Sequence, residues 1–373
     1  MEDKIYVTRP TLPKLQGFLE MVEDIYNRRW LTNFGHYERE LKAKLASFLD
    51  VNNLILTSNG TSALMLALRA LNLPRGSEVI TTPFTFIATL ESIIWNQLIP
   101  VFCDIRYDNF TLNAEHIESI ISKRTKAILG VHVYGYPCDV DKINEIAKQY
   151  HLKVIYDAAH VFNTKINNIG IGKFGDLSAF SFHATKLFNT LEGGAVSCNS
   201  VALSKKIEQM SNFGIKSEEK IEYQGLNAKM NEFEAAWGLC NLKIIKSEIS
   251  KRKKIFELYN RELGNLNCVK IFSLPDNITN SYQYYPIRIL DSKKSQNSRR
   301  DKIYDELKSK GIYSRKYFNP LCSDVPFLKE FRKDGELPVA NLIKKQILCL
   351  PFYGNLSESE IEEIVEIIKK YGR

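Results

Sequence analysis

The 373-residue sequence lacks the features that mark membrane, secreted and zinc-binding proteins. It has no apolar run long enough to cross a membrane and no secretory signal at its start, so we expect a cytoplasmic protein. Cysteines are few and odd in number, and none are spaced as Cys-x-x-Cys. We therefore expect reduced, mostly buried thiols, with no disulfide framework and no metal site. The cysteines are Cys103, Cys138, Cys198, Cys240, Cys268, Cys322 and Cys349.

The sequence also lacks a concentrated basic patch, although its formal net charge is +8. The densest basic run, 251–254, stands in a helical pattern that places Ile255, Leu258 and Leu263 on an apolar side. A solvated helix face explains this run better than nucleic-acid binding, which needs massed cations with interleaved aromatic residues. We expect no nucleic-acid partner. The modest positive field would suit an anionic substrate.

Short apolar runs alternate with helical patterns over the first two-thirds of the sequence. This alternation predicts an α/β fold with a mostly parallel sheet covered by helices on both faces. The chain is longer than one usual core, so we expect a large domain over residues 1–245 and a smaller C-terminal α+β domain over residues 246–373. Ser357 and Glu360 form a capping-box pattern that predicts a final helix. The predicted strands are one beginning at Leu54, then 79–81, 100–102, 127–131, 154–156, 177–180 and 282–289.

Lys186 stands between Ser181 and the Gly193-Gly194 pair. A lysine that forms a Schiff base needs a phosphate anchor nearby and close approach of the backbone, and a small hydroxyl residue and a glycine turn provide both. The alternative is an ordinary surface lysine after a strand. The residues upstream of Lys186 favour the first interpretation.

Asp157 follows the predicted strand 154–156. Ligands bind at the carboxyl ends of strands in open α/β sheets, so this carboxylate is placed for chemistry. An acid there can keep a pyridinium nitrogen protonated. The alternative is a helix N-cap, because Asp is a favoured cap and Ala158-Ala159 follows. The residues alone do not separate these two interpretations.

A glycine turn and an aromatic residue follow two other strand ends. Free backbone N–H groups at Thr61 and Ser62, after Gly60, predict a phosphate cup at the start of a helix. Phe86 follows strand 79–81 and is placed to lie against a flat ring. The alternative for Phe86 is a core phenylalanine.

These segments, in this order, resemble the fold-type-I pyridoxal-phosphate (PLP) enzymes, and among them the DegT/DnrJ/EryC1/StrS family of sugar aminotransferases. The resemblance extends from about Thr8 to the C-terminal helix. The segments that carry it are Gly60-Thr61-Ser62-Ala63-Leu64, Thr82-Pro83-Phe84-Thr85-Phe86, Asp157-Ala158-Ala159-His160, Ser181 to Lys186, Glu192-Gly193-Gly194-Ala195 and Gly225 to Glu232.

The resemblance implies a homodimer whose active sites are shared between subunits and whose large domains bind PLP. Lys186 would hold PLP covalently and transfer protons. For Asn227, the alternative is a loop asparagine that caps a helix beginning near Asn231. The other implied cofactor-binding residues are Gly60, Thr61, Ser62 and Ser181 at the phosphate, Asp157 at the ring nitrogen, His160 beside the ring hydroxyl, Phe86 on the ring face, and Asn227 at the neighbouring subunit's phosphate.

The expected substrates are a nucleotide-linked keto-sugar and L-glutamate. In the stretch 311–320, Arg315 and Lys316 would pair with the diphosphate, and Tyr317 would contact the sugar or base. A solvated loop is the alternative for this stretch. His183 would touch the substrate, and a packed, hydrogen-bonded histidine is its alternative.

Two N-terminal segments, 6–13 and 30–35, resemble the family branch that aminates carbon 4 of dTDP-4-keto-6-deoxy-D-glucose. The expected product is dTDP-4-amino-4,6-dideoxy-D-glucose, for surface polysaccharide such as lipopolysaccharide O-antigen. The alternatives are carbon-3 amination of a dTDP-3-keto-6-deoxyhexose and a catalytically silent regulatory or binding role. Dehydratases of the family replace the lysine with histidine, so Lys186 argues against that chemistry. Fold-type-I enzymes for amino acids, such as desulfurases or aldolases, fit less well because their lysine segment differs.

Overall fold

The computed structural model describes residues 4–291, 298–331 and 337–371. The α-helices in these ranges are α1 (Leu15–Arg28), α2 (His36–Phe48), α3 (Gly60–Ala70), α4 (Ile87–Trp95), α5 (Ile117–Ile120), α6 (Val140–Gln149), α7 (Val201–Met210), α8 (Glu232–Leu263), α9 (Arg299–Ser309), α10 (Pro338–Gln346) and α11 (Glu358–Lys370). The strands are β1 (Ile5–Tyr6), β2 (Asn53–Thr57), β3 (Glu78–Thr81), β4 (Ile99–Phe102), β5 (Thr125–Val131), β6 (Lys153–Asp157), β7 (Lys165–Ile166), β8 (Ile169–Gly170), β9 (Leu177–Ser181), β10 (Gly194–Cys198), β11 (Ile215–Ser217), β12 (Lys220–Ile221), β13 (Val269–Lys270), β14 (Tyr285–Ile289), β15 (Ile312–Tyr313) and β16 (Ile347–Leu350).

A seven-stranded sheet in the order β2-β10-β9-β6-β5-β3-β4 forms the centre of the fold. Strands β9, β6, β5, β3 and β4 are parallel to one another, whereas β10 runs antiparallel to both β2 and β9. Val154 and Ile155 are consecutive but belong to different hydrophobic cores, because helices cover both faces of the sheet. The predicted α/β fold with a mostly parallel sheet is confirmed.

The strands that position the site are close to those predicted. Strands β3 to β6 and β9 begin and end within two residues of their predicted limits. Strand β10 was not predicted, because Gly193-Gly194 was interpreted as a turn, whereas Gly194 opens the strand and pairs with both Thr57 and Ser181. A Cβ at Gly194 would lie 2.6 Å from the Asn59 carbonyl oxygen, so a glycine is needed for α3 to begin this close to the sheet.

The C-terminal part contains a three-stranded antiparallel sheet, β13-β14-β16, with its own apolar core against α9 and α11. Strand β14 begins at Tyr285, three residues later than predicted. The predicted capping box is present, because Ser357 Oγ accepts from the Glu360 amide at 3.2 Å. Residue 245 lies inside the continuous helix α8, and β1 pairs with β15 of the C-terminal part. The division at residue 245 therefore stays a prediction.

Other structural findings bear on the exclusions made from the sequence. None of the helices described is both long and apolar enough to traverse a bilayer. All seven cysteines are buried and unpaired. Over residues 4–291, 298–331 and 337–371, no group of three or more His, Cys, Asp or Glu side chains is arranged to hold a metal ion.

Candidate active site

A cavity of about 300 Å³ lies at the edge of the central sheet where the parallel strands end. Its walls come from the ends of β5, β6 and β9, the first turn of α3, the segment after β9, and the C-terminal part of the chain. The predicted site residues that line it are Gly60, Thr61, Phe86, Asp157, His160, Ser181, His183, Lys186 and Tyr317. Those that do not line it are Ser62, Asn227, Arg315 and Lys316.

Lys186 lies in the turn after β9, where its backbone N–H donates to the His183 carbonyl at 2.8 Å. Its side chain is half-buried, and its amine lies 5.9 Å from the centre of the Tyr284 ring. Burial lowers the pKa of the Lys186 amine to about 8, and the nearby Asp157 carboxylate offsets part of that effect. A substantial fraction of the amine is therefore unprotonated near neutral pH, unlike that of an ordinary surface lysine.

Asp157 is the last residue of β6 and is buried at the inner wall of the cavity. One carboxylate oxygen accepts from Thr89 Oγ1 at 2.8 Å, and the other accepts from the Ala159 amide at 3.1 Å. Burial raises the pKa of Asp157, while these two hydrogen bonds and the charge of Lys186 oppose the rise. The chain turns after Asp157 without starting a helix, so the helix-cap alternative is wrong.

The first turn of α3 faces Ser181 across the cavity wall. A Cβ at Gly60 would lie 2.8 Å from Ser181 Cβ, so the glycine allows the helix N-terminus and the serine to share one small space. Gly60 and Thr61 occupy the first two helical positions, whose N–H groups have no partner within the helix. One part of the prediction was wrong: the Ser62 amide is not free, because it donates to Asn59 Oδ1 at 2.7 Å in a capping box.

His160 is buried, and its Nδ1 accepts a hydrogen bond from the Tyr134 backbone amide at 3.1 Å. This bond places the ring proton of the neutral imidazole on Nε2. Burial, with the Lys186 charge, holds the pKa of His160 well below its usual range. The edge of its ring meets Tyr284, with ring centres 4.9 Å apart. His160 is therefore a neutral hydrogen-bond donor at Nε2.

The rim of the cavity is formed by more exposed side chains. Phe86 is 61% exposed, which excludes the alternative of a core phenylalanine. His183 is also exposed; its Nδ1 shares a hydrogen bond with Thr185 Oγ1 at 2.8 Å, and its Nε2 lies 3.5 Å from the Glu192 carboxylate. The alternative for His183 was a packed, hydrogen-bonded histidine. The hydrogen bond is present, but the side chain is not packed. Tyr317 is half-buried beside Tyr284.

Asn227 lies outside the cavity of its own chain, where its side-chain oxygen accepts from Lys229 Nζ at 2.8 Å. Its alternative role as a helix cap is wrong, because Asn231 caps α8 by accepting from the Glu234 amide at 2.9 Å. The substrate-binding and cofactor-binding roles given to residues outside the cavity stay predictions.

Arg315 and Lys316, which were both predicted to bind the diphosphate, have different surroundings in the structure. The Lys316 ammonium forms an ion pair with Asp301 and lies 4.2 Å from the centre of the Tyr304 ring. The Arg315 backbone pairs with Cys349, and its side chain is exposed. Lys316 is thus already engaged away from the cavity, whereas Arg315 forms no ion pair with any acidic side chain in residues 4–291, 298–331 and 337–371.

Three further residues at the site were not predicted from the sequence: Tyr284 and Glu192 line the cavity, and Thr89 hydrogen-bonds to Asp157, which lines it. Thr89 lies on α4 and orients Asp157, but a threonine inside a helix gives no signal in a sequence. Tyr284 was assigned to a strand, and it reaches the cavity because β14 begins one residue later. Glu192 was recognised only as part of a glycine turn, although it lines the rim beside His183.

Comparison with known proteins agrees with this geometry. The DegT/DnrJ/EryC1/StrS aminotransferase family matches residues 15–369. The chain belongs to this family. It is 40% identical to the dTDP-4-amino-4,6-dideoxy-D-glucose transaminase of Escherichia coli, over 99% of each chain. It is 38% identical to the transaminase of the same name from Shigella dysenteriae, over 99% of this chain and 100% of the other.

A solved structure, DesI in the presence of its TDP-sugar product, superimposes on this aminotransferase with a TM-score of 0.93. The two share 29% sequence identity, and the match covers 100% of this chain and 94% of DesI. The fold is therefore that of the PLP-dependent sugar aminotransferases, and the enzyme is a PLP-dependent sugar-nucleotide aminotransferase.

The walls of the cavity fit PLP. The missing Cβ at Gly60 lets the N-terminus of α3 and Ser181 come together at one wall of the cavity, where backbone N–H groups and a hydroxyl suit a phosphate. A buried carboxylate at Asp157 and an amine of lowered pKa at Lys186 lie in the same cavity. The carboxylate can pair with the pyridine nitrogen of PLP, and the amine can react with its aldehyde.

Proposed function

We propose that this enzyme transfers the amino group of L-glutamate to carbon 4 of dTDP-4-keto-6-deoxy-D-glucose and so forms dTDP-4-amino-4,6-dideoxy-D-glucose. The observation that carries the proposal is the 40% identity, over essentially the whole chain, to the Escherichia coli transaminase named for that product. The segments 6–13 and 30–35, which resemble the carbon-4 branch, support the same ring position.

In the proposed reaction, PLP supplies an electron sink for the charge that develops when a carbon loses its proton. Lys186 Nζ would hold PLP until the amino group of glutamate displaces it. The freed amine would then remove a proton from glutamate Cα and later deliver one to sugar carbon 4. A pKa near 8 suits both steps, because an amine that titrates close to the working pH can accept and release a proton.

The other walls would hold the cofactor in place. Asp157, oriented by Thr89, would accept a hydrogen bond from the ring nitrogen and keep it protonated. His160 would donate from Nε2 toward the ring hydroxyl. The Gly60 and Thr61 amides and the Ser181 hydroxyl would donate to the phosphate.

The proposal includes a homodimer with shared active sites, in which Asn227 reaches the phosphate in the neighbouring subunit. It is supported by the position of Asn227 outside its own cavity and by the exposed apolar side chains nearby in sequence, Phe213 and Ile221. Phe86 at the cavity rim is similarly exposed in the single chain.

We also propose that the enzyme works in the cytoplasm and supplies an amino sugar for surface polysaccharide such as O-antigen. Seven buried, unpaired cysteines support this location, because free thiols persist in a reducing compartment.

The test is to incubate the protein with PLP, L-glutamate and the 4-keto and 3-keto dTDP-6-deoxyhexoses in parallel, and to identify the products by mass spectrometry and NMR. We expect the 4-amino sugar from the 4-ketone only. Conversion of the 3-keto isomer alone would show that carbon 3 is aminated. Binding of PLP without turnover of either sugar would instead indicate a silent family member.

A further inference from the structure

Gln283 is a buried residue to which no role in the reaction has been assigned. Its side chain forms hydrogen bonds with the backbone on both sides of Lys186. Its Oε1 accepts from the Leu187 backbone amide at 2.7 Å, and its Nε2 donates to the Thr185 carbonyl at 3.3 Å. Only 1% of Gln283 is exposed. The residues it joins are 96 and 98 positions away in the sequence, so this contact ties the C-terminal part of the chain to the lysine turn.

The neighbours of Gln283 are anchored as well. The Ser281 hydroxyl donates to the His160 carbonyl at 2.9 Å. The Tyr282 carbonyl accepts from Arg252 at 3.3 Å, and Arg252 in turn forms a buried ion pair with Glu248 at 2.8 Å. We call residues 281–284 the clamp segment. Its contacts with His160 and Arg252 do not involve Lys186.

The clamp segment also meets the reactive side chains. The Tyr284 ring lies 5.9 Å from the Lys186 amine and packs edge-on against His160. The backbone of Lys186 is thus held by Gln283 while its side chain extends past Tyr284. The clamp segment therefore fixes the position of the Lys186 backbone and contacts its side chain.

A carboxamide suits this contact because it carries a donor and an acceptor side by side. The Leu187 amide can only donate, so the group facing it must be the side-chain oxygen of Gln283, which leaves the nitrogen for Thr185. Leu187 is itself 1% exposed, so its amide would be left without a water partner if Gln283 were apolar.

We infer that Gln283 is a positioning residue that fixes the backbone around Lys186 and so holds its amine inside the cavity, ready to capture PLP. This inference rests on the proposed role of Lys186 as the PLP-binding lysine. The titratable or charged side chains that line the cavity with Lys186 are His132, Asp157, His160, His183, Glu192, Tyr284 and Tyr317.

The consequence is a measurable change in the pH dependence of PLP capture. Capture would join the Lys186 nitrogen to the aldehyde carbon of PLP, with loss of the aldehyde oxygen as water, and it needs the unprotonated amine. With a pKa of about 8, the rate of capture rises with pH up to about 8 and falls about tenfold per unit below that. Loosening the lysine turn would let water reach the amine, and its pKa would move back toward the ordinary lysine value. The variant should therefore capture PLP more slowly near neutral pH and as fast as wild type at high pH.

The experiment compares Gln283→Met, which keeps the length of the side chain but removes both hydrogen bonds, with Gln283→His, whose neutral ring again offers one donor and one acceptor. Gln149→Met, at the exposed end of α6, is the matched control. PLP-free full-length proteins are mixed with PLP from pH 6 to pH 10, and the visible absorbance is followed. Because the protonation of PLP itself changes with pH in the same way for every protein, differences between the profiles report on the protein.

We expect the midpoint of the Gln283→Met profile to rise by about one pH unit, which makes capture about tenfold slower at pH 7. Gln283→His should restore most of that loss, and Gln149→Met should match wild type. A Gln283→Met profile that superimposes on wild type would overturn the inference. Lys186→Ala run alongside separates the two claims, because capture that survives in Lys186→Ala refutes the role of Lys186 rather than that of Gln283.

A second measurement does not depend on folding of the variants. Amide hydrogen exchange in the wild-type protein should show Leu187 among the strongly protected positions, since its N–H is buried against Gln283. Exchange of the Leu187 amide within seconds would contradict a rigid clamp.

Discussion

The inner wall and the rim of the cavity differ in burial. Asp157 and His160 on the inner wall are buried, with pKa values displaced from their usual ranges, and the Lys186 amine is displaced in the same way. At the rim, Phe86 and His183 are exposed and hold few partners within the chain. Burial strengthens electrostatic interactions and shifts acid–base behaviour, so the inner wall is built for proton transfer.

The difference also separates general chemistry from selectivity. The inner-wall groups are those that any PLP aminotransferase needs, whereas the rim must recognise the sugar and the nucleotide. The exposed aromatic ring of Phe86 at the rim is available to contact a substrate or a second subunit. Substitutions should therefore have large effects on the rate at the inner wall and smaller effects on substrate binding at the rim.

The largest effect is expected from Lys186→Ala. This change removes both the covalent attachment of PLP and the group that transfers protons, so kcat/KM should fall by several orders of magnitude. Lys316→Ala is a matched control, because that lysine is engaged with Asp301 outside the cavity. A Lys186→Ala enzyme within tenfold of wild type would contradict the assignment.

Asp157→Asn should come next in size. The amide keeps the shape of the carboxylate but no longer holds the ring nitrogen protonated, so turnover should drop at least about a hundredfold, or about 2.7 kcal/mol of barrier, while PLP stays bound. Thr89→Val tests the same contact more gently, because it removes only the hydrogen bond to Asp157. Turnover near the wild-type level in Asp157→Asn would refute its role.

Two adjacent cations at 315 and 316 should behave differently. If Arg315 pairs with the diphosphate, Arg315→Ala should raise KM for the sugar nucleotide by about tenfold and leave KM for glutamate unchanged. Lys316→Ala should change either value by less than about twofold, because its ammonium already pairs with Asp301. Equal effects of the two substitutions would contradict this distinction.

Sharing of the site between subunits predicts complementation. Lys186→Ala and Asn227→Ala chains, each inactive alone, should regain up to about a quarter of wild-type activity when mixed and allowed to exchange, because heterodimers then contain one intact site. Light scattering of the mixture checks that dimers form. Full activity of a monomer would rule out the shared site.

The sequence predicted the inner wall better than the rim, and the reason is physical. Strand ends are readable from buried apolar runs, so Asp157 and Ser181 could be placed at the edge of the sheet before the structure was available. The glycine at position 60 marked the start of α3 for the same reason. Lys186 then followed from its spacing to Ser181.

What escaped prediction depends on which side chains pair with one another in the folded chain. Ser62 was assigned to the phosphate, but its amide donates to the side chain of Asn59, three positions earlier. Lys316 was assigned to the diphosphate, but Asp301 on α9 captures its ammonium. Gln283 and Thr89 contact the site from other elements, and no local pattern marks such contacts.

The most direct test of the account is to identify the lysine that carries PLP. The purified protein is saturated with PLP, reduced with borohydride, digested and analysed by mass spectrometry. We predict that the visible absorbance is lost on reduction and that the label lies on Lys186 alone. A label on any other lysine, or none after the absorbance is lost, would contradict the central claim that the Lys186 amine, in the turn after β9, is the reactive group.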